Sequence, residues 1–567
     1  MSVYPSPGTA TASPETQISF RGASVARLRA AAIQVVGSQT GTHPGRLVQD
    51  SDHDGASFYP TTPFNAGETV AVKTKLAICG ASGGTWSFGV ARPANPAPPA
   101  PGRPATPSPS VTASEIQSFQ SAPTLSPPAL TVDVDRLSGG NDIFLAPKGG
   151  PGQAGLMIVD SHGQLVWFDP LAAGAQPSDL RIQAYQGQPV LTWWQGQVGS
   201  GHGAGVDYIA NDSYQVIATV RAGNGYQADL HEFLVTPQGA AWITAYNAVD
   251  WDLASVGGPK HGAVWDGIVQ EIDIKTGNVL FEWHSLDHIS VTASYQALPT
   301  PTNALYDYFH VNSIDPSTHG TVLISARNAH AVYELNQSTG TVLWQLNGKH
   351  SSFSMGPGTK FALQHDAEFQ ANGTLTIFDD EDVGSKGPQA RGIVLSLDLQ
   401  KRAVSLLRRY THRPALDVPA QGNVQLLPGG GALLGWGSGS FVTEYDPNGN
   451  VVFDATFPQP TNSYRAYSYP WAATPNTLPE EAATISPTGD MTVYASWNGA
   501  TGIARWQVRT GADPKHLKVV ATRAKAGFET VVTGLAQSKY VAVVALDSRG
   551  RVLAESIPEA QEPSPGA

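Results

Sequence analysis

Residues 310–328 read HVNSIDPSTHGTVLISARN, and residues 331–348 read AVYELNQSTGTVLWQLNG. In each stretch a short run rich in Val, Ile and Leu stops at a cluster of Ser, Thr and Gly, and a second run follows. Short β-branched and aromatic runs bounded by turn formers read as strands, and Ser-Thr-Gly at 338–340 reads as a hairpin turn. Together the two stretches predict four consecutive strands.

The same unit returns on both sides. FLAPKGG (144–150) goes with GLMIVDSHGQLVWF (155–168), and QAYQGQPVLTWW (183–194) with DYIANDSYQVIATV (207–220). HEFLVTPQGAAWITAY (231–246) goes with IVQEIDIKTGNVLFEW (268–283), and HDAEFQANGTLTIFDD (365–380) with IVLSLDLQKRAVSLLRR (393–409). NVQLLPGGGALLGWG (423–437) and FVTEYDPNGNVVFDA (441–455) make the last pair. Six such units predict an all-β fold centred on a six-bladed β-propeller, whose innermost strands surround a central channel. A sandwich supplies a few such units, but hardly six.

The composition agrees. Gly (59) and Pro (43) are plentiful, and charged residues make up only 14% of the 567, against roughly 25% in typical soluble domains. The net charge of −12 argues against a nucleic-acid or anionic-membrane surface. No run of about 18 apolar residues exists, so no membrane span is expected. Cys79 is the single cysteine, which excludes an internal disulfide and a cysteine-rich metal site; it is expected as a small buried hydrophobe. No basic segment followed by an apolar one opens the chain, so no signal peptide is visible. The composition is nonetheless that of exported β-proteins, and the expected location is secreted or cell-envelope, with the cytoplasm as the alternative.

Outside the repeat, residues 1–17 are polar and rich in Pro, Thr and Ser, and are expected as a disordered tail. Short alternating runs over 18–92 predict an Ig-like β-sandwich. The Pro/Ala/Ser stretch over 93–111 predicts an extended linker. The propeller is expected over 112–470, a fibronectin-III-like sandwich over 471–560, and a tail over 561–567. Asp50-Ser51-Asp52-His53-Asp54-Gly55 imitates a calcium loop, but Thr61 stands at loop position 12, and a solvated turn is the better reading. The Gly-rich SGHGAG at 200–205 is not a phosphate loop, because no helix pattern follows it.

Alignment of the units on their first turn glycine brings out one column. His231 lies eight residues before Gly239, His365 eight before Gly373, and His310 ten before Gly320, while Asn423 lies eight before Gly431. One such histidine reads as a structural residue; three in one register predict a shared site at a channel mouth. Three histidines suit zinc, yet Glu232 and Asp366 should alternate away from the channel, so no metal and no cofactor is expected. Arg327, seventeen residues after His310, is suited to a planar oxyanion, and a guanidinium nearby keeps imidazoles neutral and nucleophilic.

In order, the stretches GQPVLTWWQG, ADLHEF, YFHVNSID, ISARNAHAVYEL, TGTVLWQLNGK, FALQHDAEF, QGNVQLLPGG and SYRAYSYPW resemble the bacterial arylsulfotransferases of the ASST type, in the branch common in actinobacteria and fungi. The resemblance covers about 112–470. It implies a transferase moving a sulfuryl group from a phenolic sulfate ester to a phenol, without a nucleotide donor. It further implies that His365 is the transiently sulfurylated nucleophile and His310 the general acid/base. Asn312 and Arg327 would hold sulfuryl oxygens and His231 would be a further sulfate contact. Asn423 shares the register and is placed with the substrate-binding residues, and Tyr464, Arg465 and Tyr467 with the substrate mouth. The expected partners are a small aryl sulfate and a phenolic acceptor; homodimerisation and cell-wall association stay open. Two rival readings are a quinone-dependent dehydrogenase, for which vicinal cysteines and repeated Trp signatures are missing, and a catalytically silent propeller that binds glycan or cell-wall polymer.

Overall fold

The computed structural model describes residues 1–95, 112–302, 304–380 and 389–561. Strands dominate, in many separate sheets, an all-β arrangement compatible with propeller blades and sandwiches. No helix among the described residues is long and apolar enough to cross a membrane. The chain divides into two compact units: 1–108, 183–209 and 218–424 form the first, and 109–182, 210–217 and 425–567 the second.

In the first unit the sequence repeat becomes three successive antiparallel meanders. One runs through Ala228–Val235, Ala240–Trp251, Gly262–Asp273 and Val279–His284. The next uses Val311–Pro316, Thr321–Ala326, Ala331–Asn336 and Val342–Asn347. The third uses His365–Phe369, Thr374–Asp379, Arg391–Asp398 and Ala403–Tyr410. The turn glycines 239, 320 and 373 all have φ near +80°, a region glycine enters without a Cβ penalty. Large apolar side chains fill the space between sheets, with Trp242, Phe281, Trp283, Phe309 and Tyr333 in one core; each fully buried side chain of this kind contributes about 1.5–3 kcal/mol.

The first strand of each meander leaves its ladder near the histidine register. Pairing is interrupted between Ala228 and Phe233, between Val311 and Ser313, and between His365 and Glu368. Such bulges re-aim side chains and release backbone groups to other partners. Neighbouring first strands take up that freedom: Ile314 N–H points to Glu232 Oε2 at 3.4 Å, Ala367 N–H donates to Ser313 Oγ at 3.1 Å, and Val424 N–H donates to Asp366 Oδ2 at 3.1 Å. Glu232 and Asp366 therefore serve the adjoining strand.

Also in the first unit, residues 1–95 form two four-stranded antiparallel sheets around one core that includes Val3, Phe20, Val72, Trp86 and Phe88. The expected tail over 1–17 is corrected here: Ser2–Tyr4 is a strand paired with Ile18–Arg21, and Val3 and Tyr4 are buried. Apolar burial at these two positions outweighs the polar composition around them. Cys79 is exposed rather than buried, because Ile78 beside it takes the inward position. The carboxylates of Asp50 and Asp52 are engaged by Arg21, so the calcium-like segment is a turn tied by an ion pair. Of the expected linker, 96–111 lie outside the described residues, and Pro93 bridges to Val249. Residues 562–567 of the expected C-terminal tail also lie outside them.

In the second unit, strand Asp142–Lys148 pairs with Gly155–Val159 on one side and with the distant Asn462–Tyr469 on the other. Thr131–Asp135 likewise pairs with Val451–Thr456. The C-terminal part forms two further sheets, Glu480–Ile485 with Asp490–Ser496 and Thr530–Ala536, and Arg505–Gly511 with Lys518–Ala524, Tyr540–Leu546 and Val552–Glu555. They share a core of Met491, Val493, Trp506, Val508, Val541 and Val543.

Candidate active site

The histidines of the predicted register belong to the first unit, and each is backed by a carboxylate. His231 Nδ1 meets Asp229 Oδ2, which also takes the Thr244 hydroxyl at 3.2 Å, while Asp229 Oδ1 takes the Gly203 amide at 2.5 Å. Burial alone would raise the Asp229 carboxyl, but His231, then His202 and the Gly203 N–H, outweigh it and hold it below the ordinary range. His310 Nδ1 lies 2.5 Å from Asp307 Oδ2. His365 Nδ1 lies 2.6 Å from Asp380 Oδ2, and His365 Nε2 accepts the Gln421 amide at 3.2 Å. Carboxylates in this position fix which ring nitrogen carries the proton.

Local backbone explains how these rings are aimed. His310 precedes strand Val311–Pro316 with φ of +56°, a left-handed conformation rare for a histidine and held by the Arg327 N–H to His310 carbonyl bond at 2.9 Å. Gln421 is left-handed too, at +73°, and Gly422 after it sits against Phe378 so closely that a Cβ would meet the ring at 2.6 Å. This tight turn presents the Gln421 amide to His365.

His231 and His310 have ring centroids 4.8 Å apart, so the register does bring these two together. His365 lies beside Gln364, whose carbonyl accepts from the Asn312 side chain at 2.7 Å. The Gln364 side chain in turn donates to Ser325 Oγ and to the Ala326 and Ala331 carbonyls. Arg327 donates to Asn328 Oδ1 and to the Pro419 carbonyl, both at 2.9 Å, and its positive charge acts on Asp380. Burial pushes the Asp380 carboxyl well above its ordinary value against that pull. Asn423 is buried and opens strand Asn423–Leu426, in the register expected of it.

A fourth imidazole was not expected. His202, in the Gly-rich stretch 200–205, lies 5.2 Å from His310 between ring centroids and places Nε2 3.4 Å from Asp307 Oδ2. Tyr246 and Trp265 flank it at 4.4 and 4.8 Å. His202, Asp307 and His310 offer three donor atoms all within 4.8 Å of one another, the one group among the described residues that could hold a metal ion. Burial drives His310 down to about 4, against the pull of Asp307. Asp307 is itself held far below the usual carboxylate range, because His310 and His202 outweigh the effect of its burial. His202 moves the other way: burial opposes its charge, but Asp307 and then Asp229 raise it.

Tyr464, Arg465 and Tyr467 lie in the second unit, all buried on strand Asn462–Tyr469. There Asp179 accepts from Arg181 Nη2 at 2.8 Å, from Arg465 Nη1 at 3.3 Å and from the Tyr467 hydroxyl at 3.2 Å.

Residues 181–458 match the Arylsulfotransferase (ASST) family. That match supports aryl sulfotransferase activity in general, with small-molecule substrates. No curated protein matches the chain. A solved structure of unknown function from Bacteroides caccae is 13% identical, covering 58% of this chain and 98% of its own, at a TM-score of 0.36. Sqt1 of Saccharomyces cerevisiae is 9% identical over 66% of this chain and 83% of its own, at 0.29. Hsv2 of Kluyveromyces lactis is 9% identical over 76% and 100%, at 0.28. Likenesses at these scores carry no argument for function.

Proposed function

We propose that the protein transfers a sulfuryl group from an aryl sulfate to a phenol in two half-reactions through a sulfurylated His365. The observation that carries this reading is the pairing of His365 Nδ1 with Asp380, which commits Nδ1 and turns Nε2 to the task of attack. In the first half-reaction the Nε2 lone pair forms an N–S bond as the S–O bond to the aryl group breaks. The departing phenolate takes a proton from His310, which enters this half-reaction as imidazolium and leaves it neutral, and the neutral ring takes a proton back from the incoming phenol in the second half. Burial, which favours the neutral ring, suits His310 to the taking step. Arg327 and Asn312 are read as holding sulfuryl oxygens and His231 as a further contact, since charge on three equatorial oxygens must be neutralised in flight. The Gln421 amide on Nε2 would yield that nitrogen to sulfur when substrate enters. Tyr464, Arg465 and Tyr467 keep their reading as substrate-side residues only as a secondary part of the proposal.

The architecture proposed with it is six blades over 112–470, an Ig-like module over 18–92 and a fibronectin-III-like module over 471–560, in a secreted or cell-envelope protein. The test is turnover of a chromogenic aryl sulfate with and without added phenol. Transfer to phenol, together with an adduct of about 80 Da on His365 when the acceptor is left out, is the expected result. No consumption of aryl sulfate with any phenol would reject the reading in favour of a silent, polymer-binding propeller.

A further inference from the structure

Beside the turn that begins at Arg327 lies a cavity of a different character. His330 closes that turn, its N–H donating to the Arg327 carbonyl at 3.1 Å. Such a turn rises about 2.0 Å per residue, so the two residues stand roughly 6 Å apart along it. His330 is left-handed, at φ of +48°, and so is Asn347, at +60°. The Asn347 side chain ties the two together, donating to the His330 carbonyl at 2.9 Å and to the Phe361 carbonyl at 2.6 Å. Gly348, left-handed too, packs so closely that a Cβ would meet the Ala329 carbonyl oxygen at 2.9 Å. Non-glycine residues over-determined in this way gather where a ligand must be met by a pre-set surface. Here the two locked turns present His330 and Lys349 to one space, and neither side chain takes part in sulfuryl transfer.

The cavity measures about 490 Å³. Lys349, Lys360 and His330 bring nitrogen donors to its wall, and Tyr295, Met355 and Phe361 bring apolar surface. No carboxylate lines it among the described residues, in a chain whose net charge is −12. Lys349 is fixed in place, for Nζ donates to the Thr292 and Ser294 carbonyls at 2.9 and 2.5 Å and lies 5.1 Å from the Tyr295 ring centroid. An ammonium has three N–H groups, so one remains for a ligand. Tyr295 is held as well: its ring stacks on His330 at 4.2 Å and 4°, and its N–H donates to the Asn328 carbonyl at 2.8 Å. Two ammonium groups beside an apolar and aromatic wall suit an anion carried on an aromatic body. We infer that this cavity binds the anionic substituent of an aromatic substrate, a carboxylate or a sulfonate-like group that is not itself transferred. Lys349 and Lys360 are then specificity-determining residues, one turn away from Arg327. This names the substrate class for the function proposed above and rests on that reading.

The experiment measures equilibrium binding of para-hydroxybenzoate, para-hydroxybenzenesulfonate and the neutral para-hydroxybenzyl alcohol to the full chain by calorimetry. The wild type is compared with Lys349→Met, Lys360→Met, Lys360→Arg and Arg327→Met. The wild type should bind at least one of the two anions about tenfold or more tightly than the alcohol, the worth of one charge-assisted hydrogen bond. The anion that binds more tightly identifies the substituent. Lys349→Met and Lys360→Met should each cut the preference to about threefold or less, and Lys360→Arg should keep it. Equal affinity for anions and alcohol, or a preference that survives both methionine variants, overturns the inference. So does a preference lost in Arg327→Met and kept in Lys360→Met, because the sulfuryl site would then hold the anion. Inorganic sulfate that binds through Lys360 as tightly as the sulfonate overturns it too, because the aromatic body would then contribute nothing. Lys349→Met strips two carbonyls of their donor; should it fail to fold, Lys360→Met, at an exposed side chain, decides. None of these readouts needs turnover. Transfer without a lysine-dependent preference would end this inference alone, and a lysine-dependent preference without any transfer would end the sulfotransfer reading alone.

Discussion

Two buried polar clusters, one in each unit, solve the same physical problem with different chemistry. In the first unit four imidazoles lean on Asp229, Asp307 and Asp380. In the second, Arg181 and Arg465 clamp Asp179, with Tyr467 as third donor and the rings of Tyr467 and Tyr464 beneath the two guanidinium groups at 5.3 Å each. Guanidinium never surrenders its proton in the accessible pH range, so the second cluster is a fixed charge distribution. Imidazole titrates where cells live, so the first can take and release protons. The contrast separates a cluster that can do proton chemistry from one that can only hold a shape or a charge.

The sharpest way to break this contrast is His365→Asn, which should abolish sulfuryl transfer and the adduct together, read by steady-state assay and intact mass; wild-type rates would end the nucleophile assignment. His310→Asn should slow turnover by about 10²–10⁴-fold, the usual worth of a positioned acid/base, with the adduct still forming slowly. On the other side, Arg465→Met should leave the pH profile of activity unchanged while costing about 3–5 kcal/mol of stability, because it strips a partner from a buried carboxylate; the melting temperature checks it. A smaller effect sharpens the difference in titration. His310 is held near 4 when folded, against about 6.5 in an unfolded chain. Between those values the unfolded state binds a proton that the folded state refuses, so stability falls as pH drops through the window. Melting curves of His310→Asn should lack this part of the acid sensitivity, whereas Arg465→Met should keep it. Tyr467→Phe, removing one neutral donor of several on Asp179, should cost only about 1 kcal/mol.

What the sequence could and could not disclose follows from the same contrast. The histidine column is legible because the four-strand unit repeats, and a repeated turn glycine supplies a ruler for 231, 310 and 365. Their carboxylates are not. Asp229 precedes its histidine by two residues, Asp307 precedes by three, and Asp380 follows by fifteen from the end of the next strand. No single spacing expresses partnerships made in three dimensions. His202 escaped for a related reason, since it sits in a glycine-rich turn outside the register and reaches His310 only once the sheets are stacked. The strand at Ser2–Tyr4 was misread because three residues of pairing are too short to stand out from a polar surrounding. The Arg465 cluster was seen as residues but not as a cluster, because Asp179 and Arg181 lie nearly the whole repeat away in sequence.

The pairing of Asn462–Tyr469 with Asp142–Lys148 carries a consequence for biosynthesis. A ribosome working at about 5–20 residues per second needs on the order of tens of seconds to make the chain between those strands. Throughout that time the Asp142–Lys148 edge has no partner, and residues 143–146 on it, IFLA, are all apolar; this is the kind of segment that recruits another nascent chain. The Thr131–Asp135 strand waits just as long for Val451–Thr456. Expression of this protein should therefore be limited by what shields those two edges on the polysome, and a chain cut short before residue 462 should aggregate even though most of its sheets are already complete.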